Sequence, residues 1–233
     1  MLAEDKKPDE TPKVFVAQPL TVARGSTGKL KLRGLKLAEA SEVRIEGAAG
    51  SVKLLGKDKA ALPNGAEAAK WGDTQVEIEL VAPDAESVSL IVKTPGGETK
   101  PYTLPLAAAD SLVVDKEPND GFAQAQPIEL GKIVVGAIDP PQNVDVYLYD
   151  CAAAERIVVT VEAAKYGSLL DAALKIYDAQ GAELAGGDDQ KDLLDPKVEL
   201  ALPSAGKYWI VVFDSQDQGS PAHGYRLSVR RSQ

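Results

Sequence analysis

Asp115-Lys116-Glu117-Pro118-Asn119-Asp120 lies where one block of alternating apolar and polar residues ends and a second begins. Side chains of an extended chain alternate sides, so Asp115, Glu117 and Asn119 are expected to share one side, about 6.5–7 Å apart. Pro118 pushes the residue before it toward extended geometry, and Asp120 leads into a turn at Gly121. Three carboxylates and one amide oxygen are hard donors, suited to calcium rather than zinc. A calcium shell takes six to eight oxygens, so a second loop has to contribute. The candidate is Asp139-Pro140-Pro141-Gln142-Asn143-Val144-Asp145, with Asn143 and Asp145 closing the shell. Without a metal, the same residues read as a solvated acidic linker followed by a Pro-rich turn, and spacing alone leaves both readings open.

Upstream of this stretch the period is two. Leu30 and Leu32 alternate with lysines and Arg33, Val43 and Ile45 with Arg44 and Glu46, and Val76, Ile78 and Leu80 with Gln75, Glu77 and Glu79. Val88, Leu90 and Val92 follow, then Tyr102, Leu104 and Leu106. Such alternation predicts antiparallel strands covering a core on one face. Gly- and Pro-bearing turns separate them, among them Asn64-Gly65 and Pro95-Gly96-Gly97. Downstream the pattern resumes with Ile133 and Val135, then Val144 to Tyr149. It continues through Ile157, Val159 and Val161, and ends with Tyr225, Leu227 and Val229. The fold expected is all-β: two consecutive β-sandwich domains. Their expected bounds are 13–106 and 117–233, with a short connector at 107–116 and a mobile, charged N-terminus at 1–12. Ala61 to Trp71 reads as an inserted loop, and Trp71 either plugs one end of the first sandwich or stands exposed as a binding aromatic.

Glu117-Pro118-Asn119-Asp120, then Gly136 and Asn143-x-Asp145-x-Tyr147, resembles the bacterial pre-peptidase C-terminal domain, a family related to collagenase collagen-binding domains. The ordered series continues through Gly167 to Asp171, Asp178-Ala179-Gln180-Gly181, Gly187-Asp188-Asp189, Pro203-x-x-Gly206-x-Tyr208 and Gly224-Tyr225-x-Leu227. The resemblance implies a jelly-roll-like sandwich appended to a secreted protein, with calcium at the acidic entry segment in the collagen-binding members. The usual Asp-x-Asp-x-aromatic pattern is Asn143-x-Asp145-x-Tyr147 here, so the second loop is less acidic than the family's. The first block is similar to Ig-like IPT/TIG domains through Leu32-Arg33-Gly34-Leu35, Val43-x-Ile45-x-Gly47 and Val92-x-Thr94-Pro95-Gly96-Gly97. Export is implied as well, to the outside or to the periplasm and cell envelope. Met1 to Lys7 lacks the apolar core of a signal peptide, so the start reads as a mature end left after leader removal, with a methionine added.

Composition narrows the function classes. The 233 residues carry a net charge of −9, with 44% hydrophobic and 26% charged residues. Nucleic acids and anionic membranes require a basic surface, and no apolar run is long enough to span a bilayer. Cys151 is the only cysteine, which rules out an intrachain disulfide and suggests a small buried hydrophobe. His223 is the only histidine and reads as a surface turn residue; centres built on several histidines are excluded. A Ser-His-Asp triad lacks a Gly-x-Ser-x-Gly elbow, and no Walker loop or dinucleotide fingerprint is present. A second acidic set, Asp188, Asp189, Asp192, Asp195, Asp214 and Asp217, reads as solvated turns or, if its loops converge, as a second cation site. Tyr147, Tyr149, Tyr177, Tyr208, Trp209 and Tyr225 are core aromatics or a binding face. Alternation places Tyr208 and Trp209 on opposite faces, one of them outward. The expectation is a monomeric, non-catalytic module that binds a protein or polysaccharide, with calcium stabilisation implied by the family resemblance. The alternative is a secretion or maturation module working beside a protease.

Overall fold

The structure is a computed structural model that describes residues 11–62, 67–189 and 194–232. Most of the expected mobile N-terminus, the Asn64-Gly65 turn and Asp192 therefore lie outside the described residues.

The period-two pattern becomes the first sandwich. In Thr74–Val81 every second residue is buried, namely Thr74, Val76, Ile78 and Leu80. Antiparallel pairing with Thr27–Leu35 sets Leu30 opposite Ile78 and Leu32 opposite Val76. Lys13–Gln18 and Ser51–Lys59 complete that sheet on either side. The facing sheet runs Val22–Ala23, Tyr102–Ala107, Ser87–Thr94 and Glu42–Glu46. Leu32, Ile78, Leu90 and Leu104 meet between the sheets. Full burial of each such side chain contributes about 1.5–3 kcal/mol.

The second sandwich has the same logic. One sheet is ordered Leu112–Val114, Ile133–Ala137, Gly224–Arg231, Glu155–Glu162 and Lys197–Leu202. The other is ordered Gln126–Ile128, Val144–Cys151, Gly206–Asp214, Ala172–Tyr177 and Glu183–Gly187. Ile157, Val159, Leu174, Ile210 and Leu227 fill the space between them. Within the expected connector, Ala109–Ser111 is a 3-10 turn and Leu112–Val114 is already an edge strand of this sandwich. The sequence led us to expect antiparallel strands, yet three short pairs are parallel: 22–23 with 106–107, 112–114 with 133–135, and 126–128 with 147–149. Alternation reports which face is buried and carries no information on strand direction, which is why these pairs were missed.

The sandwiches meet along a small apolar joint. Val16 and Leu20 of the first pack on Ala222 of the second, flanked by Tyr166 and Leu169. The Ala17 N–H donates to Tyr102 Oη at 3.0 Å, and that hydroxyl donates to the Tyr166 carbonyl at 2.9 Å. Gly167 has φ +77°, and a Cβ there would lie 1.9 Å from the Phe15 carbonyl oxygen. Arg33 donates to the carbonyls of Ala61 and Trp71. Trp71, on the short helix Ala68–Trp71, thereby reaches the His223 ring, with centroids 5.1 Å apart. The expectation that His223 is a surface residue is overturned: it is 0% exposed, because the turn that carries it is covered by the first sandwich. Among the described residues no helix is long and apolar enough to cross a membrane.

Candidate metal centre

Asp145 sits on Val144–Cys151 with the same parity as Tyr147 and Tyr149, so the pleat turns all three inward. An aspartate at the inner end of a core strand needs partners, and the chain supplies them from both directions. Asp115, directly after Leu112–Val114, brings a carboxylate to the same place, and Glu117 follows. One oxygen from each of Asp115, Glu117 and Asp145 lies within 4.8 Å of the others. Asn119 is 0% exposed and donates from Nδ2 to Asp115 Oδ1 at 2.8 Å. Its Oδ1 is buried with no hydrogen-bond partner. Buried polar atoms are nearly always satisfied, and an orphan calls for an explanation such as an ion. Asn143 Nδ2 donates to Glu117 Oε1 at 2.9 Å and to Asp145 Oδ1 at 3.3 Å, tying the second loop to the first. Asp120 is exposed and stands outside the three-carboxylate group. The 2.8 Å link between Asn119 and Asp115 shows that this stretch is folded on itself. The even 6.5–7 Å spacing of an extended strand does not apply here. The 115–119 segment is pinned instead by the Val146 N–H, which donates to the Asn119 carbonyl, and by the Lys116 N–H, which donates to Gln126 Oε1.

The sequence marks Tyr147 and Tyr225 only as core aromatics or a binding face, but their hydroxyls form the floor of the cluster. Tyr147 Oη lies 2.5 Å from Asp115 Oδ1, Tyr225 Oη contacts Tyr147 Oη, and Tyr225 Oη contacts Asp145 Oδ2. Three oxygen–oxygen links need three protons, and the two tyrosines supply two. The third resides on a carboxyl group. Burial, reinforced by the charges of Asp115, Glu117 and Asp120, pushes the Asp145 pKa up to about 8. Burial also raises Asp115 and holds both tyrosines well above the ordinary phenol range. Without a cation, Asp145 is therefore the protonated member at neutral pH, donating into a chain that ends on Asp115. A cation would replace that proton.

Gly136 makes this floor possible. A Cβ at 136 would lie 2.6 Å from Tyr225 Oη and 3.0 Å from Asp115 Cβ. Gly136→Ala is expected to displace the fully buried Tyr225 ring and destabilise the protein by about 1–3 kcal/mol. Thermal unfolding of the variant beside the wild type checks this.

The second acidic set does not gather as one group. Asp188 and Asp189 approach Asp171, which sequence reasoning left out of the set although it follows a Gly-Ser-Leu-Leu run. Asp195 accepts from the backbone of Ala163, Ala164 and Lys165. Asp214 accepts from Asp171, Gln216 and Gln218. These two are ties within loops, while Asp217 is exposed. Asp171 itself is occupied by Ser215 and Gln216. Cys151 is buried among the core residues. Tyr208 points inward and Trp209 outward, where Phe122 stacks on it at 5.2 Å and also meets Tyr177.

No family model matches the chain. Over 141 residues, 53% of its length, it is 32% identical to a probable subtilase-type serine protease of Deinococcus radiodurans. The chain spans 19% of that relative's length. Among solved structures it is similar to the pre-peptidase C-terminal domain of a collagenase from Bacillus anthracis. That likeness covers 50% of this chain and 100% of the other, at 19% identity and a TM-score of 0.39. It is also similar to SGBP-B from a complex xyloglucan utilization locus in Bacteroides uniformis. There the figures are 95% of this chain, 73% of the other, 12% identity and a TM-score of 0.28. The fold described above rests on the strand pairing itself.

Proposed function

We propose that the chain is a non-catalytic, exported binding or accessory module in which calcium fastens the entry of the second sandwich. Asp115, Glu117, Asn119, Asn143 and Asp145 hold the ion, with Asp120 at its outer edge. The observation that carries this reading is the buried, unpartnered Oδ1 of Asn119 beside three carboxylates. An all-oxygen donor set that includes an amide is the chemistry of calcium, which tolerates irregular geometry better than magnesium. The two sandwiches are separate folding units, the first over 13–106 and Ig-like, the second over 117–233 together with the 112–114 edge strand and of the pre-peptidase C-terminal type. Similarity to a stretch of a much longer protease supports an accessory role beside a protease domain, in the extracellular space or envelope. A secretion or maturation module is the second reading, favoured by the same similarity.

The ligand of the first reading is a protein or polysaccharide of the matrix or envelope. The outward cluster of Phe122, Tyr177 and Trp209 is the surface offered to it. Pull-down on insoluble envelope and matrix polymers, in calcium, tests the choice. Retention that falls in Trp209→Ala supports the binding module. Retention of a protease alone supports the maturation reading, and retention of nothing contradicts both.

A further inference from the structure

His223 is a titratable side chain enclosed by both sandwiches: it sits on the second, is 0% exposed and packs against Trp71 of the first. Its Nδ1 lies 2.9 Å from Ser220 Oγ, which already accepts the Ala222 N–H at 3.1 Å. Its Nε2 is buried without a partner. The first sandwich closes over the ring with Trp71, tilted by 60°. The charged groups facing it are Asp214 and Asp139 from the second sandwich and Arg33 from the first.

We propose that His223 makes the joint between the sandwiches a pH-sensitive clasp, closed when the imidazole is neutral and released when it is protonated. A proton added to this ring creates a cation whose Nε2–H meets no acceptor. Its Nδ1–H takes the second lone pair of Ser220 Oγ, a neutral acceptor that does not offset the charge. Burying an unpaired charge is strongly unfavourable, whereas opening the joint hydrates it. Trp71 offers partial compensation, since its tilted ring does not lie flat over the imidazole. Burial depresses the basicity of the closed form, followed by attraction from Asp214 and Asp139 and repulsion from Arg33, with the balance downward. The sign follows from linkage. The open form binds the proton more readily, so the clasp is fully stable above the ordinary histidine pKa of about 6.5 and weakens as the pH falls below it. The other contacts of the joint include the small apolar group of Val16, Leu20 and Ala222 flanked by Tyr166 and Leu169, the approach of Gly167 to Phe15, and the hydrogen bond from Tyr102 to the Tyr166 carbonyl.

The test uses the full chain in chelator. Trp209→Phe leaves Trp71 as the only tryptophan. Between pH 7.5 and 5, Trp71 emission is expected to shift to longer wavelength. Exchange protection should fall at the Ala17 amide, whose acceptor, Tyr102 Oη, itself bonds across the joint to the Tyr166 carbonyl. His223→Gln, added to the same background, should show neither change. A flat wild-type profile, or an unchanged transition in His223→Gln, overturns the proposal. Should that variant fail to fold, the single imidazole resonance of the wild type decides. The joint must open with the same midpoint as the histidine titrates, and separate midpoints contradict the clasp.

Discussion

Asp145→Asn is expected to stabilise the cation-free protein at pH 8 while removing most of its response to calcium. The folded-state pKa of Asp145 is raised from 3.8 to about 8. Its contribution to stability is therefore complete below about pH 4 and is lost as the pH rises through about 8. One pK unit corresponds to about 1.36 kcal/mol, so a shift of this order is worth a few kcal/mol. Asparagine cannot ionise, and its Nδ2–H can take over the proton that neutral Asp145 donates to Tyr225. Urea unfolding in chelator at pH 5 and pH 8 measures the effect: the wild type should weaken across that interval and the variant should not. In calcium the order reverses at pH 8, because only the wild type has the carboxylate that the ion requires. An Asp145→Asn protein that is less stable than wild type in chelator at pH 8 would remove the proton-chain account.

Gly167→Ala should separate the sandwiches without unfolding either core. The introduced Cβ would lie 1.9 Å from a backbone oxygen of Phe15 and would sit at φ +77°. No side-chain rotation relieves a clash with backbone, so the Lys13–Gln18 strand or the 164–167 turn has to move, at a cost of about 1–3 kcal/mol. The two core clusters share no residue, so each sandwich should survive. Calorimetry is expected to resolve two transitions in the variant where the wild type melts as a joined unit. Pieces cut between Asp110 and Ser111 should each give a β-rich circular dichroism spectrum, since the cut leaves the 112–114 strand with its own sheet. A variant that melts like the wild type contradicts the joint described here.

The fold was readable because burial follows parity: Val76, Ile78 and Leu80, or Ile157, Val159 and Val161, face inward as their alternation dictates. Less was readable at the metal centre. Asp115, Glu117 and Asp145 stood out through oxygen chemistry and a family pattern, and the structure gathers those three. The hydroxyl floor was hidden, because Tyr225 reaches Asp145 across 80 positions and a tyrosine in an alternating run looks like any core aromatic. The orphaned Asn119 oxygen is a property of packing with no local signature. His223 misled for the opposite reason. Its Pro-Ala-His-Gly setting is that of a surface turn, and only the partner sandwich, which local sequence does not report, buries it.

The most direct test of the calcium seat is scanning calorimetry at pH 8 in calcium and in chelator, with magnesium as the control. Binding to the native form alone stabilises it by about 2.7 kcal/mol at a free concentration 100 times the dissociation constant. For a chain of this size that raises the melting temperature by about 5–10 °C. Calcium should produce the shift, magnesium little of it, and Glu117→Ala should lose most of it. Melting that is unmoved by millimolar calcium would mean that Asp115 to Asp120 is an acidic linker and nothing more.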